Sequence, residues 1–317
     1  MLDNRFYQLI KPLTVAEICE RSGAFSVVTK ADSETALIGL ASLANAGPED
    51  LCFFDIYTAP LADTGRRPGL CLASEDAFHL VSQSFRAVPV KTPRQTFLTY
   101  AAEMFRPIRS ETISRPVVGE GTSVDPTARI GPGVQIGTNC QIGPHASIEF
   151  SLIGNGVEVG AGARLGGNGF GLQTTAPSGK SKLIPHYGRV IVQDDCSIGA
   201  NSTIDRGFLD DTIIGEGSHI DNLCHIGHNC VIGRGVVMAA FCGLSGSVEV
   251  GDGVQMGGRV GVTDHRKIGA GASVAAGAAV YKDIPAGEVW GGMPARPRRR
   301  WLSEQALLAR LVRKRET

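Results

Sequence analysis

Two histidines, two cysteines, an aspartate and two asparagines lie within the fourteen residues IDNLCHIGHNCVIG, residues 220–233. Imidazoles and thiolates are common zinc ligands, and a histidine near neutral pH can also act as a general base. The same residues could instead occupy ordinary positions in a repeating structure. The period of the surrounding sequence decides between these interpretations, because it determines which side chains point into the core.

Aliphatic residues or Met recur at every sixth position through the second half of the chain. The uninterrupted series is Ile214, Ile220, Ile226, Ile232, Met238, Leu244, Val250, Met256, Val262, Ile268, Val274 and Val280. Shorter series of the same period cover residues 130–148, 153–165 and 192–204. A period of six matches neither an α-helix nor a sheet of alternating residues. It predicts a parallel β-helix in which three six-residue segments, called hexads below, form one coil of 18 residues.

Each hexad is expected to direct two residues inward, the leading aliphatic residue and a small residue at the fifth position. A Gly at the second position is expected to form a sharp corner. Five of the eight cysteines take the fifth position: Cys140, Cys196, Cys224, Cys230 and Cys242. We therefore interpret Cys224 and Cys230 as small core residues and predict no metal site.

The rest of the chain adds two regions to this β-helix. Residues 1–105 contain short apolar strands, such as residues 24–30, and two helical patterns, which predict a small α/β domain. The β-helix is assigned to residues 106–287. Residues 288–317 form a basic connector and a short helix, with Ser303 as a candidate N-cap. The predicted fold class is thus mainly β.

Composition and charge exclude several classes of protein. The 31 basic and 31 acidic residues cancel, which gives no reason to expect a nucleic acid as partner. The N-terminus lacks the pattern of a secretory signal, and no run of 18 apolar residues predicts a transmembrane segment. Eight cysteines without a secretory signal favour reduced thiols and a cytoplasmic location.

His228 occupies the third position of its hexad, so its side chain is expected to face outward near a corner. An outward imidazole is either a general base or a solvated surface group. His265 follows 37 residues later, two coils and one residue, and is expected on nearly the same face, about 10 Å away by strand spacing. Arg266 beside it is a large charged residue in a small inward position, and a broken local rule favours function there.

Four phrases in order resemble one enzyme family: GGNGFG, GRVIV, IGANSTIDRGFLDDTIIG and IDNLCHIGHNCVIG. They are similar to the UDP-3-O-(3-hydroxyacyl)glucosamine N-acyltransferases of lipid A biosynthesis, densely over residues 106–295. The resemblance implies left-handed coils, a homotrimer and no tightly bound cofactor. It implies transfer of a 3-hydroxyacyl chain from the phosphopantetheine of acyl carrier protein to the 2-amine of UDP-3-O-acylglucosamine.

The resemblance also implies roles for residues near the opening phrase. His228 would be the general base, and the backbone N–H of Gly246, one coil further on, would stabilise the oxyanion. Asp221 and Asn222 would line the site, although a corner pair that bonds only to the backbone is the alternative. His265 would contact the donor or its 3-hydroxyl group.

Further from that phrase, the resemblance implies three more contacts. Lys282 would meet the phosphopantetheine, unless it is a surface lysine. Phe53 and Tyr57 would hold the uracil, unless they are core aromatics; their stretch, FFDIY, is two residues shorter than the family's phrase and has Asp55 in place of Asn. Ala279 is expected to leave room for a long acyl chain.

The sequence allows alternatives for the role of the basic C-terminal segment and for the activity of the protein. Residues 296–317 hold eight basic and two acidic residues, which suits either a solvated helix or a docking surface for the acidic carrier protein. The rival activities are a different hexapeptide sugar-nucleotide N- or O-acyltransferase that uses coenzyme A, a metalloenzyme like the γ-type carbonic anhydrases, and a non-catalytic trimeric scaffold.

Overall fold

The computed structural model describes residues 2–23, 33–55, 67–83, 85–175 and 180–316. The chain divides into two compact units, Met1–Ser114 with Gln173–Pro185, and Arg115–Leu172 with His186–Thr317. The domain boundaries predicted from the sequence, at residues 105 and 287, stay a prediction. In the described part of the chain, no helix is long and apolar enough to cross a membrane.

The first unit contains a four-stranded parallel sheet: Gly39–Leu40, Asp50–Phe54, Leu70–Ala73 and Ala87–Pro89. Two antiparallel pairs are Leu13–Thr14 with Ala36–Leu37, and Tyr7–Leu9 with Phe105–Pro107. A third pair is Leu172–Thr175 with Lys180–Leu183. The helices are α1 (Val15–Ser22), α2 (Phe78–Val81) and α3 (Pro93–Met104). The predicted α/β character is confirmed, while the strand predicted over residues 24–30 lies outside the described residues.

Helix α1 shows how local sequence sets an element of this unit. Thr14 and Glu17 form a reciprocal capping box, with Glu17 N donating to Thr14 Oγ1 at 3.1 Å and Thr14 N to Glu17 Oε2 at 2.8 Å. Gly23 ends the helix in the left-handed region, at φ 71°. Val15 and Ile18 face the core and are buried. Both helix ends are therefore satisfied by residues that the sequence places there.

The second unit is a parallel β-helix with three faces. The first face contains Val117–Val118, Gln135–Ile136, Ser151–Ile153, Val190–Val192, Thr212–Ile214, Val231–Ile232, Glu249–Val250 and Lys267–Ile268. The second face contains Ser123–Val124, Gln141–Ile142, Glu158–Val159, Ser197–Ile198, His219–Ile220, Val237–Met238, Gln255–Met256, Ser273–Val274 and Val289–Gly291, the last pairing with the antiparallel Arg296–Pro297. The third face contains Arg129–Ile130, Ser147–Ile148, Arg164–Gly167, Thr203–Asp205, His225–Ile226, Gly243–Leu244, Gly261–Val262 and Ala279–Val280.

The core of this unit follows the hexad pattern. Leading residues stack in parallel register, so that Ile226 pairs with Ile204 on one side and Leu244 on the other. All five fifth-position cysteines are buried free thiols. Burial raises the pKa of the Cys230 thiol to about 12, as expected for a small core residue rather than a metal-binding thiolate. The interpretation of these cysteines as core residues is confirmed.

The corners differ from the expectation for Gly at the second position. The left-handed backbone occurs at the fourth position of the hexad, where Asn229, Ser247 and His265 have φ values of 60°, 61° and 56°. Gly at the second position has another cause. A Cβ on Gly215 would lie 2.4 Å from the carbonyl carbon of Gly233 in the next coil. The second position therefore requires Gly for close stacking of coils, not for a positive φ.

The regular winding is interrupted once by a long excursion. Leu152 pairs with Ile191, 39 residues further on rather than the 18 of a regular coil, because the chain leaves the winding after the third-face strand Arg164–Gly167 and rejoins it at Val190–Val192. The excursion includes the GGNGFG phrase, residues 166–171. Gly166 has φ 84°, and a Cβ there would lie 1.6 Å from the carbonyl oxygen of Glu149. The loop thus passes too close to the preceding coil for any other residue.

The C-terminal helix α4 spans Arg298–Glu316 and contacts the strands Val289–Gly291 and Arg296–Pro297. The helix itself is as predicted, but the candidate cap was wrong. The helix begins five residues before Ser303, whose hydroxyl donates to the carbonyl oxygen of Arg299 at 2.9 Å. A serine in a helix interior bonds backward in this way when the helical pattern extends past it.

Candidate active site

A cleft of about 610 Å³ lies on the third face of the β-helix. His228 and Gly246 both line it, as the sequence predicted, and so does Ala279. Six further lining residues carry polar or aromatic groups: Phe170, Asp205, His225, Ser245, Thr263 and Tyr281. The cleft therefore combines two imidazoles, one carboxylate, two hydroxyls and two aromatic rings with several Gly and Ala positions.

The hydrogen bonds around His228 determine its tautomer. Its Nδ1 lies 3.0 Å from Asn229 Oδ1, and the backbone N–H of Phe208 donates to the same oxygen at 2.9 Å. The Phe208 N–H requires an acceptor, which identifies that atom of Asn229 as the oxygen. His228 Nδ1 must then carry the proton. In the neutral imidazole, the lone pair lies on Nε2, the atom that can accept a proton in the cleft.

Asn229 is itself held by the coil. Its backbone lies in the left-handed region that Asn tolerates, and its N–H donates to the hydroxyl of buried Thr212 at 2.9 Å. The orientation of His228 therefore depends on hydrogen bonds between its own coil and the preceding one. The phrase His-Asn thus acts as a unit, with Asn229 as the positioning residue.

A second histidine packs against the base. The rings of His186 and His228 lie 4.9 Å apart, and His186 also meets Phe208 edge-on at 5.7 Å. His186 is 2% exposed and belongs to the excursion that follows the third-face strand Arg164–Gly167. A Cβ on Gly169 would lie 2.6 Å from His186 Nε2 and 2.7 Å from His228 Cβ. The glycine-rich loop and His186 together enclose one side of the base.

Gly246 lies directly beneath the imidazole. A Cβ at this position would lie 2.7 Å from His228 Nε2, so only Gly leaves room for the ring. Ser247, the next residue, donates its N–H to the carbonyl oxygen of His228 at 2.8 Å and ties the two coils together. The backbone of Gly246 thus lies next to the reactive nitrogen, and its N–H is the candidate donor to a developing oxyanion.

Asp205 contributes a carboxylate to the cleft. Its side chain is 17% exposed, and its Oδ2 lies 3.8 Å from His225 Nε2. Burial raises the pKa of this carboxyl above its usual value, while the nearby imidazoles of His225 and His228 act in the opposite direction. His225 is oriented by a contact of 2.8 Å between its Nδ1 and Thr203 Oγ1. Sequence reasoning assigned no role to either residue.

Asp221 and Asn222 lie elsewhere, in a groove of about 960 Å³ on the second face. Asp221 Oδ1 accepts the Asn222 N–H at 2.7 Å, and its Oδ2 accepts the Ala240 N–H at 3.1 Å. Asn222 Oδ1 accepts the Ala200 N–H at 2.6 Å. Within this chain, the pair makes the backbone contacts of the alternative interpretation and does not line the cleft of His228.

His265 also lies outside that cleft. A separation of two coils plus one residue puts it in line with Asn229 and Ser247, so it is exposed and lines a groove of about 750 Å³ that includes first-face residues. Arg266 is half-buried rather than inward, and its Nη1 lies 3.6 Å from Asp283 Oδ1. The expectation that His265 shares the face of His228 was off by one hexad position.

The remaining predicted residues are dispersed. Lys282 is exposed next to Tyr281, outside the lining of the cleft. Phe53 is half-buried on a strand of the first unit, with its ring 5.1 Å from that of Phe97. Tyr57 lies outside the described residues. Over the described part of the chain, no group of three or more His, Cys, Asp or Glu residues could hold a metal ion.

Three features of the cleft escaped sequence reasoning. Asp205 stands at the end of the TIDRG phrase, so that phrase was a signal for it. Asn229 follows the base directly and was part of the quoted phrase. His186 had no signal, because it lies in an excursion without hexad periodicity.

Comparison with known proteins agrees with this fold. The pattern of the family "Bacterial transferase hexapeptide (six repeats)" matches residues 115–150 and 211–246. UDP-3-O-acylglucosamine N-acyltransferase from Azorhizobium caulinodans is 40% identical over 99% of this chain and 97% of the relative. The protein of that name from Parvibaculum lavamentivorans is 38% identical over 100% of this chain and 98% of the relative.

Among solved structures, a UDP-N-acetylglucosamine acyltransferase from Campylobacter jejuni is similar with a TM-score of 0.51. The two chains are 25% identical, and the similar region covers 57% of this chain and 69% of the Campylobacter jejuni chain. The similar fold is thus accompanied by 38–40% sequence identity to N-acyltransferases over nearly the whole chain. The chain belongs to the UDP-3-O-acylglucosamine N-acyltransferase family.

Proposed function

We propose that the chain transfers a 3-hydroxyacyl chain from acyl carrier protein to the 2-amine of UDP-3-O-acylglucosamine, in lipid A biosynthesis, with His228 as general base. The observation that carries this proposal is the hydrogen bond between His228 Nδ1 and Asn229 Oδ1. It leaves the lone pair of Nε2 directed into a cleft beside a backbone amide. Amine acylation by a thioester needs this combination.

The reaction proceeds through one tetrahedral intermediate. The amine nitrogen attacks the thioester carbonyl carbon, and His228 Nε2 takes a proton from that nitrogen. The Gly246 N–H donates to the oxyanion. The C–S bond then breaks, the phosphopantetheine thiolate leaves, and His228 returns the proton to the sulfur. The products are an amide and a free thiol.

The floor of the cleft suits an extended acyl chain. Gly243, Gly261 and Ala279 occupy successive outward positions on the third face, in parallel register. A Cβ added to Gly243 or Gly261 would meet nothing within 4 Å, so packing does not require Gly there. The absence of side chains leaves a flat trough of backbone that begins at His225 and ends near Ala279.

The separation of the predicted site residues supports a homotrimer. His228 opens on the third face, whereas Asp221 and Asn222 line a groove on the second face. One copy cannot bring both sets to one substrate. Around a threefold axis, the second face of one subunit would meet the third face of its neighbour, and the cleft would be completed between subunits.

We assign the donor to exposed basic residues and the nucleotide to two aromatic residues. Lys282 and His265 are exposed and accessible to the phosphopantetheine arm, and the eight basic residues of 296–317 would attract an acidic carrier protein. Phe53 and Tyr57 would hold the uracil. An acyltransferase that uses coenzyme A is the alternative for the donor.

The test is acylation of UDP-3-O-acylglucosamine by purified protein with 3-hydroxyacyl carrier protein, followed by mass spectrometry. We expect His228→Ala to lower kcat/KM by about 10²- to 10⁴-fold. His145→Asn is the matched control, because His145 is an exposed corner histidine with φ 57° outside the cleft, and Asn tolerates that backbone. Activity with acyl coenzyme A alone, or full activity of His228→Ala, would contradict the proposal.

A further inference from the structure

The carboxylate of Asp205 has an unusual environment for an acidic residue on a β-helix. It is largely buried in the cleft of His228, and among the residues that line this cleft it is the one acid. Within the described residues, its one ion-pair partner is His225 Nε2 at 3.8 Å, and no hydrogen-bond donor is directed at it. A largely buried carboxylate without hydrogen-bond donors is costly, and a broken local rule of this kind favours a functional role.

The positive charge of the neighbouring Arg206 acts on Asp205, but among the described residues its guanidinium donates its hydrogen bonds elsewhere. Arg206 turns toward the excursion, where Nε donates to His186 O at 2.8 Å and Nη1 to Gly166 O at 2.7 Å. Its guanidinium also lies 4.2 Å from the ring centroid of Phe150. The arginine is thus used to hold the glycine-rich loop, and the carboxylate is left facing the cleft.

The chemistry of the acceptor explains what this carboxylate would bind. A neutral primary amine carries two hydrogens, and the attack on a thioester requires its lone pair to point at the carbonyl carbon. His228 Nε2 can accept only one of these hydrogens. The second needs another acceptor, and a hydroxyl nucleophile has no second hydrogen to offer.

We infer that Asp205 accepts the second N–H of the 2-amine and is the residue that selects an amine over a hydroxyl as the acyl acceptor. This inference rests on the proposed function. The C–N bond forms while one proton passes to His228 and later to the leaving sulfur. The other hydrogen stays on nitrogen and remains bonded to Asp205 in the product amide. Asp205 takes no proton at any step.

The experiment compares two acceptors that differ only at carbon 2: UDP-3-O-acylglucosamine and the corresponding UDP-3-O-acylglucose. Equilibrium binding of each is measured for the wild type, Asp205→Asn and Asp205→Leu, together with kcat/KM for the amine. We expect Asp205→Asn to weaken binding and turnover of the amine about 10-fold, and Asp205→Leu about 100-fold, because Asn keeps one acceptor oxygen. Binding of the 2-hydroxyl compound should change by less than about threefold.

Glu149→Gln is the matched control. Glu149 follows the leading residue Ile148, just as Asp205 follows Ile204. Its carboxylate pairs with Arg129 outside the cleft. Equal losses for both acceptors, or no loss for the amine, would overturn the inference about Asp205. Failure of the wild type to bind or acylate the amine would instead overturn the proposed function.

Discussion

Two corners of one coil carry similar polar pairs and use them differently. At the corner between the second and third faces, Asp221 and Asn222 accept backbone N–H groups from their own and neighbouring coils. At the next corner, Asn229 accepts the Phe208 N–H and orients His228, whose Nε2 remains available. The first pair has its acceptors occupied by the fold, whereas the second leaves one reactive atom free.

This difference teaches how a repetitive scaffold acquires chemistry. Polar residues at β-helix corners satisfy the backbone by default, since every coil leaves N–H groups to be paired. A residue becomes reactive when a neighbour takes over that task. Asn229 does so for His228, and Arg206 does so for the loop beside Asp205.

The largest effect that tests this comparison is expected at Asn229. Asn229→Gly keeps the left-handed backbone but removes the oxygen that holds His228, so kcat should fall about 10- to 100-fold with little change in KM. Asn229→Asp should restore most activity, since its carboxylate accepts the same hydrogens. Asn201→Gly is the control, because Asn201 has φ 54° at the same hexad position away from the cleft. Equal losses at both positions would show that Asn229 acts only on stability.

A smaller effect, the partial recovery of activity in mixed trimers, tests whether the two corners meet between subunits. Asp221→Ala and His228→Ala should each be nearly inactive alone. Co-expression in equal amounts should restore about one quarter of wild-type activity, since a site that joins an intact His228 to the neighbour's intact Asp221 forms with that frequency in random trimers. Activity of the purified mixture checks it. No recovery, from trimers shown to be mixed, would place both residues in one subunit or remove Asp221 from the site.

The floor of the third-face cleft can be tested by filling it. Ala279→Met should shift the preferred donor toward chains about two to four carbons shorter, because each methylene excluded costs about 0.8 kcal/mol of burial. Competition among 3-hydroxyacyl carrier proteins of graded length measures this. Gln255→Met, on the second face, should leave the preference unchanged. An unaltered chain preference in Ala279→Met would remove Ala279 from the acyl trough.

The smallest expected effect is a change in the free energy of unfolding. It distinguishes a carboxylate that bonds to an arginine within the fold from one that accepts no hydrogen bond from the described residues. Because burial raises the folded-state pKa of Asp205, the folded state binds more protons than the unfolded state and loses stability as pH rises through that pKa. Asp205→Asn should therefore be more stable than the wild type at pH 7, by about 1 kcal/mol, and this gain should vanish in acid.

Asp211→Asn gives the opposite sign. Arg189 Nη2 lies 2.6 Å from Asp211 Oδ2, and the Arg189 N–H also donates to this residue at 3.1 Å. Loss of these contacts in Asp211→Asn should lower the free energy of unfolding by about 1–3 kcal/mol. Denaturant unfolding across pH measures both variants. A destabilised Asp205→Asn at pH 7 would show that the fold does use this carboxylate.

Much of the fold was predictable because a hexad period determines which side of the chain faces inward. Ile226, Cys224 and Cys230 could be assigned to the core, and His228 to the outside, from spacing alone. Spacing also put Gly246 one coil from His228, and the structure brings them into contact. The same count put His265 on the face of His228, which was wrong. His265 takes the fourth position of its hexad and His228 the third, and adjacent corner residues point to different faces.

By itself, the sequence determined the β-helix, its core and the outward imidazole of His228, since these follow from the six-residue period. Tertiary structure alone decided which atoms remain free. His186 reaches the base from an excursion that has no period, and Asn229 fixes the tautomer through a backbone group of Phe208. Among the described residues, no donor bonds to Asp205, and the adjacent Arg206 bonds to His186 O instead. Such contacts depend on where a chain returns in space, and no local pattern encodes that.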